Sequence, residues 1–135
     1  MNSGGNVSET RLGDDEVVYR RIPPGSQWFE PPDRISSFNF KLRSGETGLS
    51  VYRAGVVSDA EILKRPEAVP GSLVACATVD GIRQLKDGLG RTLGLDVVAC
   101  DDEDNPGHAE IRGPLPGKLK ASSSRALKKL FELQI

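Results

Sequence analysis

Apolar positions alternate with polar ones along several short runs, and these runs predict strands. Glu16–Ile22 places Val18, Arg20 and Ile22 on one side and Val17, Tyr19 and Arg21 on the other. Pro23-Pro24-Gly25 ends that strand, because proline cannot donate to a ladder. The stretch to Pro32 reads as an extended loop anchored by Trp28 and Phe29. Ser36–Leu42 alternates again, with Phe38, Phe40 and Leu42 opposite Ser37, Asn39 and Lys41, which predicts a half-buried strand. Leu49–Arg53, Ser72–Val79, Leu95–Cys100 and His108–Arg112 complete the set. Val18, Ile22, Phe38, Phe40, Val51, Val74, Val97, Ile111, Leu127 and Leu130 are the expected core.

Helical spacing is scarcer. Ser58 and Glu61 have the spacing of a capping box, so Ser58–Lys64 predicts a short helix stopped by Pro66. Asp80–Leu89 fits a helix capped by Asp80 and ended by Gly88 and Gly90, but its period is ambiguous. Near the C-terminus Ser122–Ser124 offer caps for a helix in which Ala126, Leu130 and Leu133 share a face, with Lys128 and Lys129 outward. Strands and helices do not alternate regularly. The expected fold is therefore α+β, with a mostly antiparallel sheet packed by helices.

Composition refines this picture. A chain of 135 residues suits one domain, with residues 1–14, rich in Gly, Ser and Asn, as a flexible tail and 15–135 as the body. Fifteen Gly and nine Pro hold hydrophobic content to 37% and imply long loops. The net charge of −1 and the few aromatic residues give no reason to expect nucleic-acid binding. No run has the ~20 apolar residues of a spanning helix, and the polar start has no apolar leader segment, so no membrane association and a cytoplasmic location are expected. Charge is nevertheless uneven: 19–65 carries +3, 66–113 carries −5 and 114–135 carries +4.

Candidate chemistry is limited. Cys76 and Cys100 sit in apolar strand runs, and unbridged thiols are expected. Two thiols, one histidine and no close Cys spacing argue against a structural zinc site, and no metal site is assigned. Gly113–Lys118 resembles a phosphate-binding loop but is one residue short, and Leu119 stands where Ser or Thr is required. Gly88, Gly90 and Gly94 do not have the dinucleotide-binding spacing. Asp101-Asp102-Glu103-Asp104 invites calcium, yet Pro106 and Arg112 occupy the Gly and Glu positions of an EF-hand loop.

Three polar clusters on strand-like segments remain: Tyr19, Arg20 and Arg21; Ser36, Ser37 and Asn39; and His108, Glu110 and Arg112. If they converge on an anion, Tyr19, Arg21, Ser36, Asn39 and Arg112 are the ligand-binding candidates, because guanidinium holds phosphate or carboxylate through paired hydrogen bonds. Arg20, Ser37, His108 and Glu110 are the candidates for catalysis.

The order YRRIPP, SSxxF, LSV and NPGHAxIxG resembles a set of small bacterial proteins with no established activity, over roughly residues 17–113. More distantly, Arg on a first strand, Ser-Ser-x-x-Phe next and Glu on a late strand is similar to the Arg–Ser–Glu layout of ADP-ribosyltransferase-like and RES-type proteins. That likeness implies Arg20, Ser37 and Glu110 as a triad and NAD as substrate. No motif passes its own spacing test for catalysis. The leading expectation is therefore a non-enzymatic binding module (accessory, immunity-like or antitoxin-like) with a protein partner or a small anionic ligand and no cofactor.

Overall fold

In the computed structural model, residues 10–30, 34–100 and 103–134 are described. They form β1 (Val17–Ile22), β2 (Phe29–Glu30), β3 (Arg34–Ile35), β4 (Leu49–Arg53), α1 (Asp59–Leu63), β5 (Leu73–Thr78), α2 (Val79–Arg83), β6 (Asp96–Ala99), β7 (His108–Arg112), α3 (Ala121–Leu130) and β8 (Glu132–Gln134). Two 3-10 turns, Ser26–Trp28 and Ser37–Phe40, lie before and after the β2–β3 pair. The main sheet has the order β6-β7-β4-β1-β5-β8, and every neighbouring pair is antiparallel. This is the single α+β domain that the alternation predicts.

The sheet has two unlike faces because side chains alternate along each strand. Val18, Ile22, Leu49, Val51, Ala75, Val97, Ala109 and Ile111 point inward and are buried with Ile82 of α2, Leu127 of α3 and the Phe131 that follows it. Small Ala75, Ala77 and Ala99 lie on the two strands that α2 packs against, while α3 packs on the Ser37–Phe40 turn and on α2. The outer face carries Tyr19, Ser50, Tyr52, His108 and Glu110, and α1 leans on part of it through buried Ile62.

Several expected elements have a different form. Ser36–Leu42 is not a strand. Ser36 Oγ accepts a hydrogen bond from Phe38 N and caps the 3-10 turn. This local alternative competes with ladder pairing, as serine favours. Phe40 is buried, but Phe38 turns out to be 43% exposed, so it leaves the expected core. Leu130 is only half-buried, while the other eight expected core residues are buried as predicted.

The helix after Val79 is capped by Thr78 rather than Asp80 and ends at Arg83. Leu133 is not on the last helix. The chain leaves α3 at Phe131 and becomes strand β8, pairing with β5. Ser123 and Ser124 are buried in α3 and do not cap it; Ser124 Oγ donates to Phe40 O at 2.6 Å. The region around Trp28 contains a 3-10 turn and the small β2–β3 ladder where an extended loop was expected, while Trp28 and Phe29 do anchor it to the core.

The N-terminal segment also departs from the expected tail. Residues 1–9 lie outside the described residues, but Leu12 is buried and its N–H donates to Val97 O at 3.1 Å. Arg83 then ties this segment down, bonding Asp14, Leu12 O and Asp96. Cys76 and Cys100 form no disulfide. Four strand spacings of about 4.8 Å separate their strands, far beyond the ~5.5 Å Cα separation a bridge needs.

Candidate functional site

The pairing between β1 and β4 is short. Val18 opposes Arg53 and Tyr19 opposes Tyr52, and beyond Tyr19 strand β1 continues against β5 alone. Arg20 fills the opening. Its Nη1 donates to Ser50 O at 2.6 Å, and its Nε and Nη2 donate to Asn39 O at 2.9 and 2.6 Å. A guanidinium has five N–H groups, so two remain. Its guanidinium carbon lies over Phe40, 5.7 Å from the ring centre. Arg20 thus pins the 3-10 turn to the open end of the ladder.

That opening is the floor of a cleft of about 500 Å³, with walls from both 3-10 turns and the segment after Pro23. Four cations line it, Arg20, Arg21, Lys41 and Arg43, against two acids, Glu46 and Glu67. Each cation rests on an aromatic ring: Arg21 on Tyr52 at 5.6 Å, Lys41 on Phe38 at 5.8 Å and Arg43 on Trp28 at 5.8 Å, besides Arg20 on Phe40. Trp28 and Phe38 also contact each other, with centroids 5.0 Å apart. The exposed Phe38 ring therefore has a place: it supports Lys41 at the rim.

Electrostatics here is unbalanced. Burial pushes the Arg20 guanidinium down to about 10; Glu46 opposes this, and the neighbouring charges of Arg43 and Arg21 add to it. Arg20 stays charged at neutral pH, so the lowering measures a cation held against desolvation and like charge. Arg21 is partly satisfied by Ile62 O at 3.1 Å and Glu67 at 3.4 Å. Among the described residues Lys41 and Arg43 form no ion pair. Asn39 is buried. Its Nδ2 donates to Trp28 O and Ser36 O, while its Oδ1 receives no donor among the described residues.

The sequence candidates do not all meet here. Arg20, Arg21 and Asn39 line the cleft, and Ser36 caps the turn that forms its wall. Ser37 sits on that turn outside the lining. Tyr19, His108, Glu110 and Arg112 lie on β1 and β7 and are not part of the cleft lining, although His108 contacts Ser50 and Tyr52, which are. Arg20 leaves the inward face of β1, Ser37 sits on the turn, and His108 and Glu110 project from the outward face of β7, so only Arg20 of the four catalytic candidates lines the cleft. An alternating strand shows which residues share a face, but it does not place residues of two strands on the same face.

On the outer face His108 stands opposite Tyr52, with ring centres 5.8 Å apart. Its Nδ1 lies 3.3 Å from Cys100 Sγ and its Nε2 3.1 Å from Ser50 Oγ. Glu110 Oε1 accepts from Thr47 Oγ1 at 2.8 Å and from Arg112 Nε at 3.0 Å. Lys41, Arg43, Trp28 and Cys100 were missing from the sequence candidates. The RRI and KLR runs are visible in the chain, but the 3-10 turn that brings them together is not.

This architecture and cleft define an antiparallel α+β protein with a cationic, aromatic-lined recess. Comparison with protein-family models, with curated proteins and with solved structures finds no match for this chain.

Proposed function

We propose that this chain is a non-enzymatic binding module whose cleft receives an anionic group, phosphate or carboxylate, carried by a protein partner. The carrying observation is the set of four cations, each stacked on an aromatic ring, around one opening. Stacking holds long side chains in place, so less conformational entropy is lost when an anion docks. An arriving anion also relieves the mutual repulsion of Arg20, Arg21 and Arg43. Exposed Lys41 and Arg43 at the mouth suit capture, and the remaining N–H groups of Arg20 suit orientation deeper in.

An NAD- or nucleotide-handling role is the second reading. It draws on the same cleft, where Phe38 offers an exposed ring for a base and Arg20 and Arg21 offer phosphate contacts. Glu110 itself lies outside the cleft lining and is bonded to Thr47 and Arg112, so the acid that the Arg–Ser–Glu layout calls for is not in the cleft.

Trp28, the only tryptophan, lines the cleft and serves as the probe. Inorganic phosphate, NAD, a nucleotide and an acidic phosphopeptide are titrated against its fluorescence. The phosphopeptide is expected to bind most tightly, with affinity that falls with salt and drops about ten-fold in Lys41→Ala and Arg43→Ala. Each of those losses corresponds to ~1.4 kcal/mol. Consumption of NAD would move the protein to the second reading. Binding by none of the four would remove the cleft as a site.

A further inference from the structure

We propose that the β6–β7 hairpin carries a zinc-class metal site made by Cys100, His108 and Glu110. One ligand atom from each of the three lies within 4.8 Å of the others. The register explains the convergence. Ala99 pairs with Ala109, so Cys100, one step beyond the end of β6, stands opposite His108, and Cys100 N donates to His108 O at 3.0 Å. Glu110 is two residues along β7 and therefore on the same face as His108. The motif is C-x7-H-x-E, and hairpin pairing rather than Cys-to-Cys spacing creates it. Counting close cysteine spacings could not reveal it.

The donor set is chemically coherent. Thiolate sulfur, imidazole nitrogen and carboxylate oxygen are the three protein ligand types of zinc, and three protein ligands leave a fourth position for water. Closing the ligand atoms onto one ion asks for a contraction of about 1 Å from their present outer separation, given ligand-to-zinc lengths of 2.0–2.3 Å in tetrahedral geometry. All three residues are half-buried on the sheet face, so rotamer adjustment meets no packed core.

The surroundings orient the ligands. With its proton on Nε2, His108 donates to Ser50 Oγ, and the Nδ1 lone pair faces Cys100 Sγ. A ring nitrogen tied back in this way is the usual support of a metal-bound histidine. Thr47 and Arg112 both donate to Glu110 Oε1, and no donor among the described residues engages Oε2. Metal entry forms the sulfur–metal, nitrogen–metal and oxygen–metal bonds and releases the Cys100 thiol proton to solvent. The segment joining Cys100 to His108 is acidic in sequence, Asp101-Asp102-Glu103-Asp104.

The test uses the full-length reduced protein with zinc alone and with cobalt(II) as its spectroscopic substitute. The expected result is one cobalt per chain, an intense tetrahedral visible spectrum and a sulfur-to-cobalt charge-transfer band, all reversed by zinc. Cys100→Ser and His108→Ala should abolish the charge-transfer band or the tetrahedral spectrum. Cys76→Ser should leave both unchanged, and Ser50→Ala should weaken zinc about ten-fold. Circular dichroism of the metal-free variants confirms that they are folded. A wild-type spectrum without thiolate ligation overturns the proposal. So does a signal that survives Cys100→Ser but is lost when Asp101–Asp104 are changed to asparagine and glutamine.

Discussion

Phe40 links the inner core to the cleft. Its ring packs on Phe131 at 5.1 Å, lies beneath the Arg20 guanidinium and is fully buried. Its carbonyl accepts from the buried Ser124 hydroxyl, which fastens the 3-10 turn to α3. Phe40→Ala should therefore cost about 3–5 kcal/mol. Because Arg20 loses its supporting surface as well, the same variant should blunt the Trp28 fluorescence response to ligand. Urea denaturation provides the first reading. A midpoint unchanged from wild type would contradict the burial of Phe40.

Among the elements, α1 shows best what local sequence can fix. Ser58 Oγ accepts from Glu61 N at 3.1 Å, and Glu61 returns a bond from Ser58 N at 2.9 Å, the reciprocal capping box read from the spacing S-x-x-E. Hydrogen bonds from the Ser58 backbone and side chain hold the Glu61 carboxyl below its ordinary range. Ser58→Ala should cost about 1 kcal/mol. Hydrogen exchange should show the loss concentrated in residues 59–63; a uniform loss over the whole sheet would refute a local role.

The same comparison shows where sequence reading stops. Strands β4 and β7 are legible to the residue, because both alternate and both pair on two sides. Ser36–Phe40 alternates equally well, yet one serine hydroxyl and the pull of Ser124 on Phe40 O turn it into a 3-10 turn. The cleft depends on that turn, so only Arg20, Arg21 and Asn39 of its polar lining could be picked out beforehand. The outer-face trio was hidden for a related reason: it follows from strand register, which no periodicity records.

At the scale of the whole molecule, both edges of the sheet are managed. Residues 10–12 lie along β6, where Ala99 N donates to Thr10 O and Leu12 N to Val97 O, and β8 covers β5 while presenting exposed Glu132 and Gln134. Such covering blocks strand addition by other chains. The first edge depends on ion pairs. Burial raises the Asp96 carboxyl, but hydrogen bonds from Arg83, Val97 N–H and Arg11, together with the Arg83 charge, outweigh it and hold it below the ordinary range. A carboxyl lowered on folding stabilises the fold above its unfolded value near 3.9, and the gain is lost as pH falls through the folded value. Asp96→Asn should thus cost roughly 1–2 kcal/mol at neutral pH, less than a buried pair because Asp96 is a third exposed. The gap from wild type should narrow below about pH 4. Equal losses at neutral pH and near pH 3 would rule out the ionic origin.

The position of β1 has a consequence for how the chain acquires this shape. It sits in the middle of the sheet although it comes first among the strands, and Tyr19 must meet both Tyr52 and Cys76. Among the described residues local pairing is confined to the β6–β7 hairpin, the small β2–β3 ladder and the single Lys86–Thr92 bridge. Folding dominated by such distant closures belongs in the millisecond-to-second range. During vectorial synthesis the flank of β5 stays uncovered until residues 132–134 clear the ribosome, so a chain stalled shortly before that point would carry an open strand edge and be a natural client for a chaperone.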